Sequence, residues 1–294
     1  MLSKKLKILW LTAITCNGNT HSFLNYPHLD IFMDTFEFIY HPSIDSAYTL
    51  NDIINKEIAC DILIIEGSIS TEYIKADAPI VDIINKYASK VQKIVTVGTC
   101  ASFGGMFRES DYKDTTGLHF DKERPTSLFE HIKEKTISLS GCPVHPDIIA
   151  NTLYSIEKKR AIELDSLLRP KEFFAYTVHN GCTRNEYFEY KIDNHQFGKK
   201  EGCMFYDHGC HAPYTHGSCN KILWNEVNSK TRTGLSCMGC TEPTFPKGDF
   251  FHTKKNMGIP QYLPFGVAKR TYLTLAGITK AFHIKRLEED LFDD

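Results

Sequence analysis

The first half of the chain alternates short apolar runs with amphipathic stretches. Five runs are rich in β-branched residues and bounded by Gly, Pro or charged residues, which is typical of buried strands; they cover residues 6–14, 36–42, 61–67, 93–99 and 135–141. Apolar residues at helical spacing predict helices over residues 46–58, 78–91, 126–134 and 147–160. This alternation predicts an α/β fold with a mostly parallel, doubly wound sheet.

The apolar run near the N-terminus belongs to the first predicted strand. It contains Thr12 and Thr15 and leads into a Gly/Asn turn, with neither a small-residue cleavage site nor a twin arginine, so the pattern does not indicate a signal peptide. No stretch reaches the roughly 20 uninterrupted apolar residues that a membrane helix needs. We therefore expect a cytoplasmic protein without an integral membrane segment.

The composition is typical of a soluble globular protein. The chain has 294 residues, of which 42% are hydrophobic and 24% charged, enough to build a substantial core in one large or two ordinary domains. The formal net charge of −2 provides no broad basic excess for a phosphate backbone. We do not expect nucleic acid as a partner.

Ten cysteines need an explanation in a chain expected to be cytoplasmic, because a reducing compartment does not sustain structural disulfides. Cys16, Cys100 and Cys142 each follow a predicted strand. In open α/β sheets the carboxyl ends of the strands form the ligand-binding edge, so topology alone predicts that these thiols meet. They do not form the tight Cys-x-x-Cys pairs of a zinc ribbon, which favours an iron–sulfur cluster.

The chain changes character after about residue 170, where aromatic, Gly- and His-rich sequence holds the other metal candidates. Such a segment has little regular structure to fold it without ligated metal. Thiolates with an occasional imidazole suit zinc or iron–sulfur centres. The spacing favours two centres, one with His179, Cys182, Cys203 and Cys210 and the other with Cys219, Cys237 and Cys240.

Seven motifs follow one another along the chain: C-x-G-x-x-x-S, EGS, GTCASFGG, GCPVHP, H-x-x-C-x-R, C…GC…P…C and SCMGCTEPTF. Each is weak alone, but in this order, from about residue 8 to 246, they closely resemble the small subunit of nickel–iron hydrogenases. The resemblance implies a flavodoxin-like domain over residues 1–170 with a proximal [4Fe-4S] cluster. It implies a smaller, mostly irregular and helical domain over residues 171–294 with a medial [3Fe-4S] and a distal [4Fe-4S] cluster.

The resemblance also implies which residues hold each cluster. The proximal set would be Cys16, Cys100 and Cys142 with Asn19 at the family's usual fourth cysteine, the distal set His179, Cys182, Cys203 and Cys210, and the medial set Cys219, Cys237 and Cys240. Asn19 is a departure, and it either ligates directly or only caps the following helix, in which case His21, another group of the turn or water completes the cluster. Cys203 and Cys210 are one residue farther apart than is usual in the family. Glu66 either shapes the proximal pocket or assists protons, or is a solvated strand-end carboxylate.

The function that the resemblance implies is electron transfer within a hydrogenase. Hydrogen would be oxidised to two protons and two electrons at a nickel–iron centre in a separate large subunit, the expected partner. The electrons would pass one at a time through the three clusters to an acceptor or donor protein or a small redox carrier. Catalysis would belong to the partner chain, so no catalytic residue is assigned here.

Other functions stay open at this point. A hydrogen-sensing regulatory subunit would use nearly the same parts. A non-hydrogenase electron-transfer subunit, such as the related subunit of respiratory complex I, should show a paired Cys-Cys motif and lack the six-cysteine segment. A structural zinc module would have no redox activity. Cys60 fits none of the sets and is expected to be a buried core thiol, and Arg184 is expected to pack or hydrogen-bond locally.

Overall fold

The computed structural model describes residues 5–109, 112–247, 250–256, 259–264 and 266–281. The chain divides into two compact units, Met1–Phe173 with Cys240–Phe245, and Phe174–Gly239 with Pro246–Asp294. The first unit therefore includes a short segment from far along the chain, whereas the domains expected from the sequence are both continuous. Residues 1–4 and 282–294 of the expected domains lie outside the described residues.

The first unit is built on a five-stranded parallel sheet. Its strands are β1 (Leu6–Thr12), β2 (Phe36–Tyr40), β3 (Ile62–Glu66), β4 (Lys93–Val97) and β5 (Thr136–Leu139). Their order is β2-β1-β3-β4-β5, with all neighbours parallel. This is the flavodoxin-like order, and it confirms the predicted fold class and all five predicted strands.

The sheet is covered on both faces. Every residue of β3 is buried, and the two ends of its pairing with β1 are Ile8 with Ile62 and Thr12 with Glu66. Strands buried on both faces read as continuous apolar runs rather than alternating ones, which is why the sequence pattern located them. Short two-stranded ribbons, Ile74–Lys75 with Ala78–Pro79 and Phe120–Asp121 with Arg124–Pro125, lie outside the main sheet.

The helices of the first unit are α1 (Gly18–Leu24), α2 (Leu29–Thr35), α3 (Leu50–Asn55), α4 (Ile80–Ala88), α5 (Thr99–Phe103) and α6 (Pro146–Glu157). Three of the predicted helices are present as α3, α4 and α6. The prediction of a helix over 126–134 is wrong, because only a 3₁₀ segment, Glu130–Lys135, forms there. The N–H groups of Glu130 and Ile132 donate to the carbonyls three residues back, those of Ser127 and Phe129, at 3.4 and 3.1 Å, which is the pattern of a 3₁₀ turn and not of an α-helix.

The second unit is mostly irregular. Its described helices are α7 (Lys171–Phe174, which begins in the first unit), α8 (Asn185–Glu189) and α9 (Lys269–Ala281). It also has the 3₁₀ segments Val178–Gly181 and Ala212–Tyr214 and a ribbon of Lys255–Asn256 with Ile259–Pro260. A further 3₁₀ segment, Gly105–Glu109, lies in the first unit. Its apolar core contains Met204 and Phe205 together with the thiols of Cys203, Cys210 and Cys237. No helix within the described ranges is long and apolar enough to cross a membrane.

Candidate metal centres

Three loops at the carboxyl edge of the sheet carry the cysteines of the proximal set. Cys16 follows β1 and is exposed, whereas Cys100 in α5 and Cys142 after β5 are half-buried. Burial raises the pKa of the Cys100 thiol, and the nearby charge of Cys16 raises it further. The Thr99 N–H donates to the Gly141 carbonyl at 2.9 Å. The structure therefore gathers the three loops at one edge.

Backbone approaches the Cys100 sulfur closely. Gly105 has a φ of +50°, and a Cβ placed on it would stand 2.6 Å from that sulfur, so only glycine fits this position. The backbone N–H groups of Met106 and Phe107 and the Ser68 hydroxyl, which donates to the Gly104 carbonyl at 2.7 Å, lower the pKa of the Cys100 thiol against the effect of burial. Donors of this kind stabilise a thiolate, the form that ligates iron.

Glu66, the last residue of β3, is a buried centre of hydrogen bonds. Its Oε2 accepts from Trp10 Nε1 at 3.1 Å and from the Thr20 hydroxyl at 2.6 Å. Its Oε1 accepts from the Thr15 hydroxyl at 3.1 Å and from the Asn19 N–H at 3.0 Å. Because Glu66 has 0% of its surface exposed, the alternative of a solvated carboxylate is wrong. Glu66 instead ties the Cys16 turn to the end of β3.

Asn19 lies inside α1 and is buried. The residue at the N-cap is Asn17, which makes no side-chain cap hydrogen bond, so the alternative that Asn19 caps this helix is wrong. Its Oδ1 accepts from the Val144 N–H at 2.9 Å, and its Nδ2 packs against Gly98. One amide thus contacts the loop after β4 and the loop after β5.

The segment 240–245 also lies at this edge of the first unit. The Thr99 hydroxyl donates to the Cys240 carbonyl and accepts from the Gly141 N–H at 2.9 Å. Ser140 donates to the Thr241 carbonyl at 2.8 Å. Cys240 therefore belongs to the first unit, whereas Cys219 and Cys237, the other members of the expected medial set, belong to the second.

The distal set lies within the second unit. Cys203 and Cys210 are buried and Cys182 is half-buried. Burial raises the pKa of Cys203 to about 12, with a further contribution from Cys182, and burial together with the charge of Cys203 raises the pKa of Cys210 to about 12. Burial lowers the pKa of His179, and Lys191 lowers it further, which favours the neutral imidazole that binds metals.

The loop between Cys203 and Cys210 contains the extra residue noted in the sequence. It turns at Gly209, whose φ is +61°, and is held by Thr253. The Thr253 hydroxyl accepts from the Gly209 N–H at 2.8 Å and donates to the Phe205 carbonyl at 2.7 Å. The longer loop is thus closed by one side chain from the later part of the same unit.

Thiolates with one imidazole suit iron–sulfur or zinc centres, and each cysteine of an iron–sulfur cluster binds a different iron. As thiolates, the neighbouring buried cysteines would repel one another, and a bound cationic group would stabilise that form. In the part of the chain that the structure describes, no three His, Cys, Asp or Glu side chains stand close enough to hold one metal ion.

Comparisons with known proteins give matches in both halves of the chain. Residues 16–156 match the family model of the NADH ubiquinone oxidoreductase 20 kDa subunit, and residues 174–252 match that of the C-terminal region of NiFe/NiFeSe hydrogenase small subunits. The second match covers the segment that a complex I-type subunit is expected to lack. The periplasmic [NiFe] hydrogenase small subunit 1 of Nitratidesulfovibrio vulgaris is 29% identical over 83% of this chain and 80% of its own. Over most of its length the chain resembles the small subunits of nickel–iron hydrogenases.

Other hydrogenase small subunits are similar to comparable extents. The F420 non-reducing hydrogenase II small subunit of Methanosarcina mazei is 28% identical over 82% of this chain and 73% of its own. The solved [NiFeSe]-hydrogenase of Dm. baculatum superposes with a TM-score of 0.73 at 25% identity, covering 86% of this chain and 100% of that one.

Sequence reasoning missed several residues that organise these sites. Thr99 and Thr253 carried no signal, because each acts through contacts with residues distant in sequence. Arg184 makes the local hydrogen bonds expected of it, but their number was not foreseen. Cys60 packs half-buried against the core of the first unit.

Proposed function

We propose that this small subunit relays electrons between a hydrogen-activating large subunit and an external acceptor. The observation that carries the proposal is the pairing of two donor sets: three cysteine loops at one edge of a flavodoxin-like sheet, and three thiols with a neutral imidazole in the second unit. Relatives named as hydrogenase small subunits support it.

The proposed cofactors are a proximal [4Fe-4S], a medial [3Fe-4S] and a distal [4Fe-4S] cluster. When bound, they would supply one-electron redox steps, so that the two electrons of hydrogen oxidation leave separately. Cys16, Cys100 and Cys142 would hold the proximal cluster. The medial set would be Cys219, Cys237 and Cys240, and the distal set His179, Cys182, Cys203 and Cys210. The nickel–iron centre would belong to the large subunit.

Asn19 stays the proposed fourth proximal ligand. An amide oxygen has two lone pairs, so the hydrogen bond that Oδ1 accepts from Val144 leaves one for a metal. The Asn19 N–H bonds Glu66, which fixes the residue in the turn. His21, in the same turn, is the next candidate. A cytoplasmic location also stays a prediction, although the relative from Nitratidesulfovibrio vulgaris is named periplasmic.

Co-purification tests the proposal. We expect this chain to be recovered with a large subunit, with nickel in the complex, about eleven irons attributable to this chain from the three cluster types, and hydrogen-dependent dye reduction. A well-loaded complex with zinc at the cysteines of the second unit, or with only one four-iron cluster in this chain, would contradict the relay.

A further inference from the structure

Arg184 is buried two residues after Cys182 in the distal set. Only 3% of its surface is exposed. Its Nε donates to the Thr231 carbonyl at 2.7 Å, its Nη1 to the Glu201 and Gly202 carbonyls at 3.0 and 2.7 Å, and its Nη2 to the Lys199 carbonyl. The guanidinium is therefore rigidly held by four backbone acceptors.

These acceptors are all neutral. Among the side chains that the structure describes, no carboxylate forms an ion pair with Arg184. Taking a charge out of water is unfavourable unless another charge compensates it. Neutral carbonyls satisfy the N–H groups but do not cancel the positive charge, so the compensating charge has to come from another neighbour.

The neighbours that supply it are thiols of the distal set. The Arg184 backbone N–H donates to Cys182 Sγ at 3.4 Å, and the Gly202 carbonyl that accepts from its guanidinium directly precedes Cys203. Burial lowers the pKa of Arg184, and the charges that oppose this are, in order, those of Cys182, Cys203, Tyr187 and Glu201. Both ligand cysteines are deprotonated when they hold a metal, so their charges would compensate that of Arg184.

We propose that Arg184 raises the reduction potential of the distal centre through its fixed, desolvated positive charge. Reduction adds one electron, supplied by hydrogen oxidation in the proposed function, and makes the metal–thiolate group more negative. A cation held at constant position in a poorly screened environment stabilises that reduced form over the oxidised one. Arg184 is thus a positioning and tuning residue and touches no substrate. The inference rests on the proposed function.

The test compares variants of the intact hydrogenase complex in an EPR-monitored redox titration of the distal signal. In Arg184→Gln and Arg184→Met, we expect the ratio of reduced to oxidised distal centre at a fixed potential to fall about tenfold or more, where tenfold corresponds to about 59 mV for one electron. Arg184→Lys keeps the charge and should retain most of the potential. Arg232→Met removes an exposed cation of the same unit and should leave the ratio unchanged.

A merely structural role predicts a different pattern. If Arg184→Lys, which cannot reach all four carbonyls, loses as much potential as Arg184→Gln, or if an iron-loaded Arg184→Gln titrates like the parent, the proposal is overturned. Should both neutral variants fail to fold, Arg184→Lys decides alone. If Arg184 only holds the four carbonyls in place, this variant should change the distal potential or lose the distal cluster. If Arg184 acts through its charge, the variant should do neither. Absence of a distal iron–sulfur signal in the unmodified complex would instead refute the proposed function.

Discussion

Replacing Glu66 by Gln should loosen the turn that carries Cys16. Each carboxylate oxygen accepts one N–H that can only donate, from Trp10 Nε1 or from the Asn19 backbone, and one hydroxyl, from Thr20 or Thr15. A glutamine has one oxygen and one NH₂ group, so in either orientation its NH₂ faces one of these obligatory donors. The hydroxyls can rotate to accept, whereas the N–H groups cannot.

The size of the effect follows from these contacts. One buried donor left without an acceptor costs about 1–3 kcal/mol, and hydrogen bonds to a charged group are stronger than those to the neutral amide that replaces it. We expect the turn to open more easily by about 2–4 kcal/mol. At tenfold per 1.4 kcal/mol this is a population of open turns about 30-fold to about 700-fold larger.

The assay is the rate at which the purified complex loses iron to a chelator, followed by the bleaching of its visible absorbance. The open turn exposes the proximal ligands, so the fastest phase should accelerate in Glu66→Gln by about 30-fold or more. Glu72→Gln removes an exposed carboxylate of the same unit and should change the rate little. Equal rates for the two variants would refute the role given to Glu66.

Three more predictions concern single residues. Asn19→Cys should keep a four-iron proximal cluster and lower its potential, because a thiolate adds negative charge that an amide lacks; an unchanged potential and EPR spectrum would place the fourth ligand elsewhere. Gly105→Ala should impair loading of the proximal cluster, measured as iron per chain, since its Cβ would stand 2.6 Å from the Cys100 sulfur; full loading would contradict this. Burial lowers the pKa of His41 and of His119 to about 4, so the unfolded chain binds more protons and stability is lost as pH falls from about 6.5 towards 4. At pH 5 the free energy of unfolding should be lower by about 2 kcal/mol for each histidine. In a variant with both histidines replaced by Gln, the denaturant midpoints at pH 7 and pH 5 should lie closer together than in the parent.

The sequence predicted the features that depend on local pattern. The strands were found because β3 and its neighbours are continuous apolar runs, and Cys16, Cys100 and Cys142 were brought together because parallel strands place their carboxyl ends at one edge. The order of the motifs supplied the resemblance to hydrogenase small subunits, which the comparisons confirm. None of this required knowledge of a side-chain contact.

The features that sequence reasoning missed depend on contacts between distant residues. Asn19 meets Val144, which is 125 residues away, and Glu66 meets Asn19 across 47 residues, so local spacing could not distinguish a helix cap or a solvated carboxylate from these buried arrangements. The failed helix over 126–134 has a different origin, because apolar spacing does not distinguish an α-helix from the 3₁₀ segment that forms there.

The return of residues 240–245 to the first unit makes that unit discontinuous in sequence. Ser140 and Arg169 donate to the Thr241 carbonyl at 2.8 and 3.3 Å, and Arg108 donates to the carbonyls of Pro243 and Phe245 at 3.0 and 2.9 Å. During synthesis, domains tend to fold from the N-terminus onward, but these acceptors emerge from the ribosome only after most of the chain. The cysteine-bearing edge of the sheet therefore completes its hydrogen bonding late, and a fragment ending at residue 173 would leave the Ser140 hydroxyl and the Arg108 guanidinium without these partners.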